Sequence, residues 1–236
     1  MKIRDIKACY TPEKKAAERI EPFAFVIGRP LSFPVSWLCL KAGLSATTVT
    51  YISILFIIAG GALLLQGNYV LQIIGISLFV IWQIFDCADG NIARYRKSYS
   101  AHGEFIDALG GYLVNAVCFP AMGILSLKYN RFNIEELYLI SAGFLCAMLN
   151  LLSRLLYQKK LNLVGEKGRM IKPSQQQKKS SLLNSAQAVV SASGLMIPVA
   201  MAAVICKIPE LFLAVYFPVN LMMFFYTTIK LAKKTG

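Results

Sequence analysis

The stretch from Asp86 to Gly111 places four carboxylates, two arginines and four glycines in a chain that is otherwise mostly apolar. Several acids held close together repel one another unless a cation neutralises them. Hard divalent ions prefer oxygen ligands of this kind, Mg²⁺ first, with Mn²⁺ and Ca²⁺ as alternatives. The stretch therefore indicates a metal site, and the competing interpretation is a solvated turn in which the acids pair with Arg94, Arg96 and Lys97.

Helical spacing brings these residues onto common faces. On a helix that continues past Phe85, Asp86, Asp89, Gly90 and Ala93 fall within an arc of about 100°. On the next helix, Gly103, Asp107 and Gly111 recur at every fourth position, so one acid lies between two glycines. Each face offers carboxylate oxygens beside residues with almost no side chain, which leaves room for a bound group.

The composition indicates which solvent the chain meets. Of its 236 residues 56% are hydrophobic and 16% charged, and the mean hydropathy is +0.56. These values are typical of a polytopic membrane protein and exclude a water-soluble domain with a charged surface.

Six apolar runs are long enough to cross a bilayer as helices. Short polar breaks, such as 66–68 and 207–210, predict antiparallel hairpins between neighbouring runs. We therefore expect an all-α fold with six transmembrane helices. The expected spans are Thr47–Leu65, Val70–Phe85, Phe105–Leu127, Leu137–Tyr157, Leu183–Cys206 and Leu211–Lys230.

The basic residues predict the orientation. Lys and Arg concentrate in residues 1–45, in the second and fourth connections and in the tail, whereas only Lys128, Arg131 and Lys207 fall on the opposite side. The positive-inside rule then places both termini and the acidic stretch in the cytoplasm, with the protein in a bacterial inner membrane or in the endoplasmic reticulum. Anionic lipids and phosphate-bearing substrates suffice as partners for the net charge of +13, and no nucleic acid is needed.

The first 45 residues are expected to form a cytoplasmic arm, followed by a membrane domain over 46–236. Its later part predicts an amphipathic helix lying at the membrane interface, or equally an ordinary buried packing helix. The residues that support this helix are Phe33, Trp37, Leu38, Leu40 and Lys41. Six cysteines without paired spacing indicate neither a disulfide framework nor a zinc site.

The acidic stretch resembles the motif of the CDP-alcohol phosphotransferase family. That motif is Asp-x-x-Asp-Gly-x-x-Ala-Arg, eight residues, then Gly-x-x-x-Asp-x-x-x-Asp. Seven of its eight positions match here, and the segment "GLSATTVT" before the first span resembles the family's "GLSPNxxT". The matching residues are Asp86, Asp89, Gly90, Ala93, Arg94, Gly103 and Asp107, whereas Gly111 replaces the last aspartate.

The resemblance implies displacement at the β-phosphorus of a CDP-alcohol, with release of CMP and transfer of the phosphoalcohol to a lipid, polyol or phosphorylated acceptor. It implies that Asp86, Asp89 and Asp107 hold the metal. Gly90, Ala93 and Gly103 would leave room for the nucleotide, and Arg94 would brace the acids or a phosphate. Members often form homodimers, which is expected here on the same ground.

Gly111 leaves the catalytic base open, because the family's acid at this position is thought to deprotonate the acceptor. Three interpretations follow. Glu104, Tyr112 or His102 takes over as base, with Glu104 preferred; the acceptor is already ionised; or the chain is a CDP-alcohol-binding pseudoenzyme. A cation transporter is a further rival, although we find no internal repeat that would support it.

Two polar residues inside spans could serve the acceptor. Arg154 either extends to the lipid headgroups or lines the cleft, since facing lipid would be costly. Asn115 lies one turn beyond Gly111 and could contact the acceptor or a neighbouring helix. The basic segment Gln158–Ser180 is interpreted as a connecting loop or as a rim that gathers phosphorylated substrate.

Overall fold

The computed structural model describes residues 2–166 and 189–232, and within them it contains helices and connections but no strand. We number nine α-helices in chain order. Two π-helical turns, Ala24–Gly28 and Ala192–Met196, lead directly into α3 and α8. The helices are α1 (Ile3–Ala8), α2 (Pro12–Glu18), α3 (Arg29–Lys41), α4 (Ala46–Leu64), α5 (Tyr69–Arg96), α6 (Ala101–Tyr129), α7 (Glu136–Glu166), α8 (Ile197–Ile205) and α9 (Pro209–Ala232).

Five of these helices are long and apolar enough to cross a membrane, namely α4, α5, α6, α7 and α9. The all-helical membrane fold predicted from composition is confirmed, but six spans are not. The fifth predicted span, Leu183–Cys206, begins outside the described residues, and its described part is the shorter apolar stretch Ala192–Ile205. This stretch packs into the core through Met196, Ala200 and Val204.

The helices around the acidic motif extend further than the apolar runs suggested. α5 continues to Arg96, where Lys97 adopts a left-handed conformation (φ 53°) and ends the helix. α6 already begins at Ala101, because the Ser100 side chain accepts a hydrogen bond from the Gly103 N–H. The connection is therefore only residues 97–100, and every motif residue lies on a helix. In the same way, α7 runs to Glu166 and makes 158–166 helical, contrary to the predicted loop, whereas 167–180 lie outside the described residues.

Close backbone contacts between glycines set the spacing of the membrane helices. A methyl group at Gly75 on α5 would lie 2.8 Å from the Gly60 carbonyl oxygen on α4. One at Gly143 on α7 would lie 2.7 Å from the Phe119 carbonyl oxygen on α6. In an apolar solvent such small-residue contacts allow the dispersion interactions that hold helices together.

The arm packs against the motif helix rather than standing apart from it. Phe33 and Leu40 of α3 are buried with Ala88 and Ile92 of α5. The opposite side of α3 exposes Leu38, which is 58% accessible. α3 is thus a packing helix with an exposed apolar residue, and its placement at the membrane interface stays a prediction.

We expect Gly143→Ala to separate α6 from α7, because the added methyl group has backbone rather than a flexible side chain in its way. Overpacking of this kind typically costs about 1–3 kcal/mol. The thermal midpoint in detergent should fall, whereas Gly67→Ala, with no atom within 4 Å of the new methyl group, should leave it unchanged. Equal midpoints for the two variants would contradict this role of Gly143.

Candidate active site

A cleft of about 560 Å³ opens where α5 and α6 meet the arm. All eight residues that the sequence predicted for the site line it. These are Asp86, Asp89, Gly90, Ala93, Arg94, Gly103, Glu104 and Asp107. Their roles are not decided by this placement, but the two predicted helix faces do meet across one cavity.

The three aspartates differ in their surroundings. Asp89 is buried, at 5% exposure, and its Oδ2 accepts a hydrogen bond of 2.6 Å from the Thr50 hydroxyl. Asp86 is half-buried, whereas Asp107 is exposed to the cleft. The charges of Asp89 and Asp107 both act on Asp86.

The aspartates face one cavity without converging on a single point. Among the residues that the structure describes, no three acid, cysteine or histidine side chains are close enough to hold a metal ion. Three carboxylates lining one cleft nevertheless provide the hard oxygen donors that a divalent ion requires. The carboxylate oxygens are suitable ligands for such an ion, and the three side chains would have to move closer together to bind it.

Arg94 occupies the space that Gly90 leaves. A methyl group at Gly90 would lie 3.3 Å from Arg94 Nη2, and this nitrogen donates a 3.0 Å hydrogen bond to Asn91 Oδ1. Arg94 Nε is buried without a partner among the described residues. The guanidinium therefore lies over the helix at the cleft wall, with capacity to bind a further acceptor such as a phosphate oxygen.

A buried polar network joins the arm to the motif helix, α5. Arg29 forms an ion pair with Glu18, in which Nε donates to Oε2 at 2.9 Å. Arg29 Nη1 also donates to the Cys87 carbonyl (2.9 Å) and to Asn91 Oδ1 (2.7 Å). The Tyr10 hydroxyl donates to Glu18 Oε2 at 2.7 Å. Burial, together with this hydrogen bond, raises the pKa of Tyr10 to about 12.

A cation, Arg154, lies beside Gly111, the position at which the family motif has its last aspartate. Arg154 Nη1 on α7 donates a 3.0 Å hydrogen bond to the Gly111 carbonyl, and a methyl group at Gly111 would meet only this nitrogen, at 3.7 Å. Asn115, fully buried, donates to the same carbonyl at 2.9 Å. Arg154 thus contacts α6 and is not among the residues that line the cleft.

The three predicted base candidates differ in their position relative to the cleft. Glu104 lines the cleft, whereas Tyr112 and His102 are not among its lining residues. His102 instead contacts the Tyr51 hydroxyl at 3.2 Å.

Sequence reasoning missed several residues of this site. Thr50 had a signal, because it is the last residue of "GLSATTVT", yet its bond to Asp89 is visible only in three dimensions. Lys14, Glu18, Glu21 and Arg29 come from the arm and also line the cleft. Charges scattered along an amphipathic segment carry no spacing signal that could have assigned them.

The sequence model of the CDP-alcohol phosphatidyltransferase family matches residues 44–230, which is well over half of the chain. The chain belongs to this family. No curated protein matches the chain at a significant level. The family match begins after α3, so the arm that contributes Glu18, Glu21 and Arg29 to the cleft lies outside it.

Thr50→Val should impair the site with little change of shape. It leaves the buried Asp89 carboxylate without its hydroxyl donor, which typically costs about 1–3 kcal/mol. A transferase reaction at this site should slow by about 5- to 160-fold. Thr228→Val on α9, which loses only a bond to the Phe224 carbonyl, is the matched control. Equal activity of the two variants would show that Asp89 does not depend on Thr50.

Acid should loosen the arm from α5. Burial alone would raise the pKa of Glu18, but the hydrogen bonds and charge of Arg29 outweigh it and hold this pKa below 4.5. Because the folded pKa is lowered, the contribution of Glu18 to stability is present above about pH 4.5 and is lost as pH falls through the folded pKa. Proteolysis of the arm in detergent should therefore accelerate below pH 4.5.

Glu18→Gln is the control for this pH dependence. It leaves Arg29 buried without its ion-pair partner, a change that typically costs about 3–5 kcal/mol. Proteolysis of this variant should already be fast at pH 7 and change less with acid. An acid response equal to that of the wild type would assign the effect to other carboxylates.

Proposed function

We propose that this protein transfers a phosphoalcohol or phosphatidyl group from a CDP-alcohol to the hydroxyl of an acceptor and releases CMP. The observation that carries the proposal is the convergence of seven family motif residues on one cleft in a chain that belongs to the family. The acceptor oxygen attacks the β-phosphorus, the bond from this phosphorus to the CMP oxygen breaks, and the acceptor proton passes to a base.

Asp86, Asp89 and Asp107 are the residues that would hold Mg²⁺, or Mn²⁺ in its place. Such an ion would neutralise the pyrophosphate and the charge that develops on CMP. The Thr50 hydroxyl fixes Asp89. Asp86 and Asp107 form no hydrogen bond or ion pair with another described residue, so their side chains can move toward an ion. Neighbouring ionised carboxylates repel one another, and a bound cation would relieve this repulsion.

The remaining motif residues shape the donor site. Arg94 is placed by Asn91 and would pair with a phosphate oxygen. Gly103 lies in the first turn of α6 beside Thr47, where a methyl group would already lie 3.5 Å from the Thr47 hydroxyl and 3.1 Å from that of Ser100. Small residues here keep the cleft open for the nucleotide.

We place the cleft on the cytoplasmic side, because the basic residues concentrate at that end of the spans. An impermeant thiol reagent added outside intact cells should therefore not modify Lys97→Cys. Modification from the outside would contradict the cytoplasmic orientation. Residues 97–100 connect α5 and α6 at the cleft, so the same experiment places the site.

The second candidate is a pseudoenzyme that binds a CDP-alcohol without transferring it. The observation that favours it is Arg154, which holds the place beside Gly111 with a cation where the family has an acid. Both candidates predict donor binding, and only the transferase predicts CMP release.

The test uses purified protein in nanodiscs with a panel of CDP-alcohols and with lipid, polyol and phosphorylated acceptors. We expect metal-dependent donor binding and CMP release, and we expect Asp86→Asn, Asp89→Asn and Asp107→Asn each to abolish both. Removal of divalent metal with EDTA should do the same, and Mg²⁺ should restore it. Donor affinity retained in all three variants would refute the metal assignment, and binding without CMP release would establish the pseudoenzyme.

A further inference from the structure

The cleft contains a carboxylate that the family motif does not account for. Glu21 lies between α2 and the π-helical turn that precedes α3, in the arm that the family match leaves out. Its side chain lines the cleft together with Asp86 and Asp107. The arm thus adds an acid to a site whose motif has lost one.

Glu21 is held from both ends. Its N–H donates a 2.9 Å hydrogen bond to the Glu18 carbonyl, and Glu18 pairs with Arg29 of α3. Arg29 in turn donates to Cys87 and Asn91 on α5. On its other side, the Ser191 hydroxyl donates to Glu21 Oε1 at 3.2 Å. Ser191 precedes the second π-helical turn, so Glu21 bridges the arm and the later helices across the cleft.

The charge of Glu21 acts on the residues around the position of the missing motif acid. Arg154, whose guanidinium contacts the Gly111 carbonyl, is acted on by the charges of both Glu21 and Asp86. The charge of Glu21 also acts on Asp86 itself. Glu21, Arg154, Gly111 and Asp86 therefore belong to one neighbourhood.

Glu104 lies on the other side of Asp107 from Gly111 along α6. It is exposed, and its charge acts on Asp107. Along α6 it precedes Gly111 by seven residues, about 10 Å at the helical rise. A base one turn before Asp107 cannot occupy the place of an acid one turn after it.

We propose that Glu21 supplies the carboxylate that the motif lacks at Gly111 and acts as the catalytic base of the reaction. The inference rests on the proposed function. The acceptor hydroxyl gives its proton to the Glu21 carboxylate while its oxygen forms the bond to the β-phosphorus, and CMP leaves with the electron pair of the broken phosphorus–oxygen bond. The proton returns to solvent from Glu21 after the product has left.

The experiment compares Glu21→Gln, Glu104→Gln and Glu13→Gln in nanodiscs, each with and without Gly111→Asp. Two quantities are measured: the maximal rate of CMP release and the dissociation constant of the CDP-alcohol. Glu13→Gln is the matched control, because Glu13 is exposed on the same arm and does not line the cleft. The space at Gly111 admits the new side chain, since only Arg154 lies near it.

We expect Glu21→Gln to lower the maximal rate by about 10²–10⁴-fold, the usual contribution of a general base, with the dissociation constant changed less than threefold. Gly111→Asp should make Glu21 dispensable and recover at least tenfold of the lost rate. Glu13→Gln should stay within threefold of the wild type, and Glu104→Gln should lose less of its rate than Glu21→Gln.

Other results overturn the proposal. A Glu21→Gln variant that keeps its rate, or one whose donor binding weakens in step with the rate, gives Glu21 no part in the chemistry. Equal losses in both backgrounds would assign it to holding the cleft together. A wild type that binds the donor but releases CMP only after Gly111→Asp has no working base, whereas a wild type that binds no CDP-alcohol refutes the proposed function itself.

Discussion

The cleft depends on the ion pair between Glu18 and Arg29. Both side chains are buried, and such a pair is tolerated only when its remaining hydrogen-bonding groups are satisfied. Here Tyr10, the Cys87 carbonyl and Asn91 satisfy them, so the arm is attached to the motif helix at a defined register. Because Asn91 Oδ1 also accepts a hydrogen bond from Arg94, the same network orients a second cleft-lining cation, on α5 itself. One buried pair thus sets the position of one cleft wall relative to the other.

The membrane explains why the rest of the scaffold looks as it does. Helices in lipid gain little from burying apolar surface, so they associate through close contacts between small residues, such as Gly60 with Gly75 and Gly123 with Gly143. These contacts hold the spans together, and the polar groups lie at the C-terminal end of α5 and the N-terminal end of α6. α3 packs on α5 beside these ends, and the acids line the cavity between the helices and the arm.

The loss of one motif acid changes the balance of charge at the site. Arg154 lies beside Gly111 and is no longer opposed by an aspartate at that position. The nearest compensation comes from Glu21 and Asp86, whose charges both act on Arg154. The departure from the family motif and the acid contributed by the arm are therefore parts of one electrostatic arrangement, whichever of transfer or binding the protein performs.

The sequence by itself determined that the protein lies in a membrane, that its fold is helical, and which family it belongs to. Its apolar runs are long because a helix must satisfy its own backbone in lipid, and the motif is readable because helical spacing keeps its residues on common faces. The sequence alone could not determine that residues 101–104 are helical, that Thr50 holds Asp89, or that the aspartates line the cavity without converging. It also gave no sign of Glu21, which lies 65 residues before Asp86 in the chain. Only the tertiary structure places Glu21 and Asp86 in one cleft. The packing of α3 on α5 and the buried Glu18–Arg29 pair bring the arm to the motif helix, and neither produces a periodic pattern in the sequence.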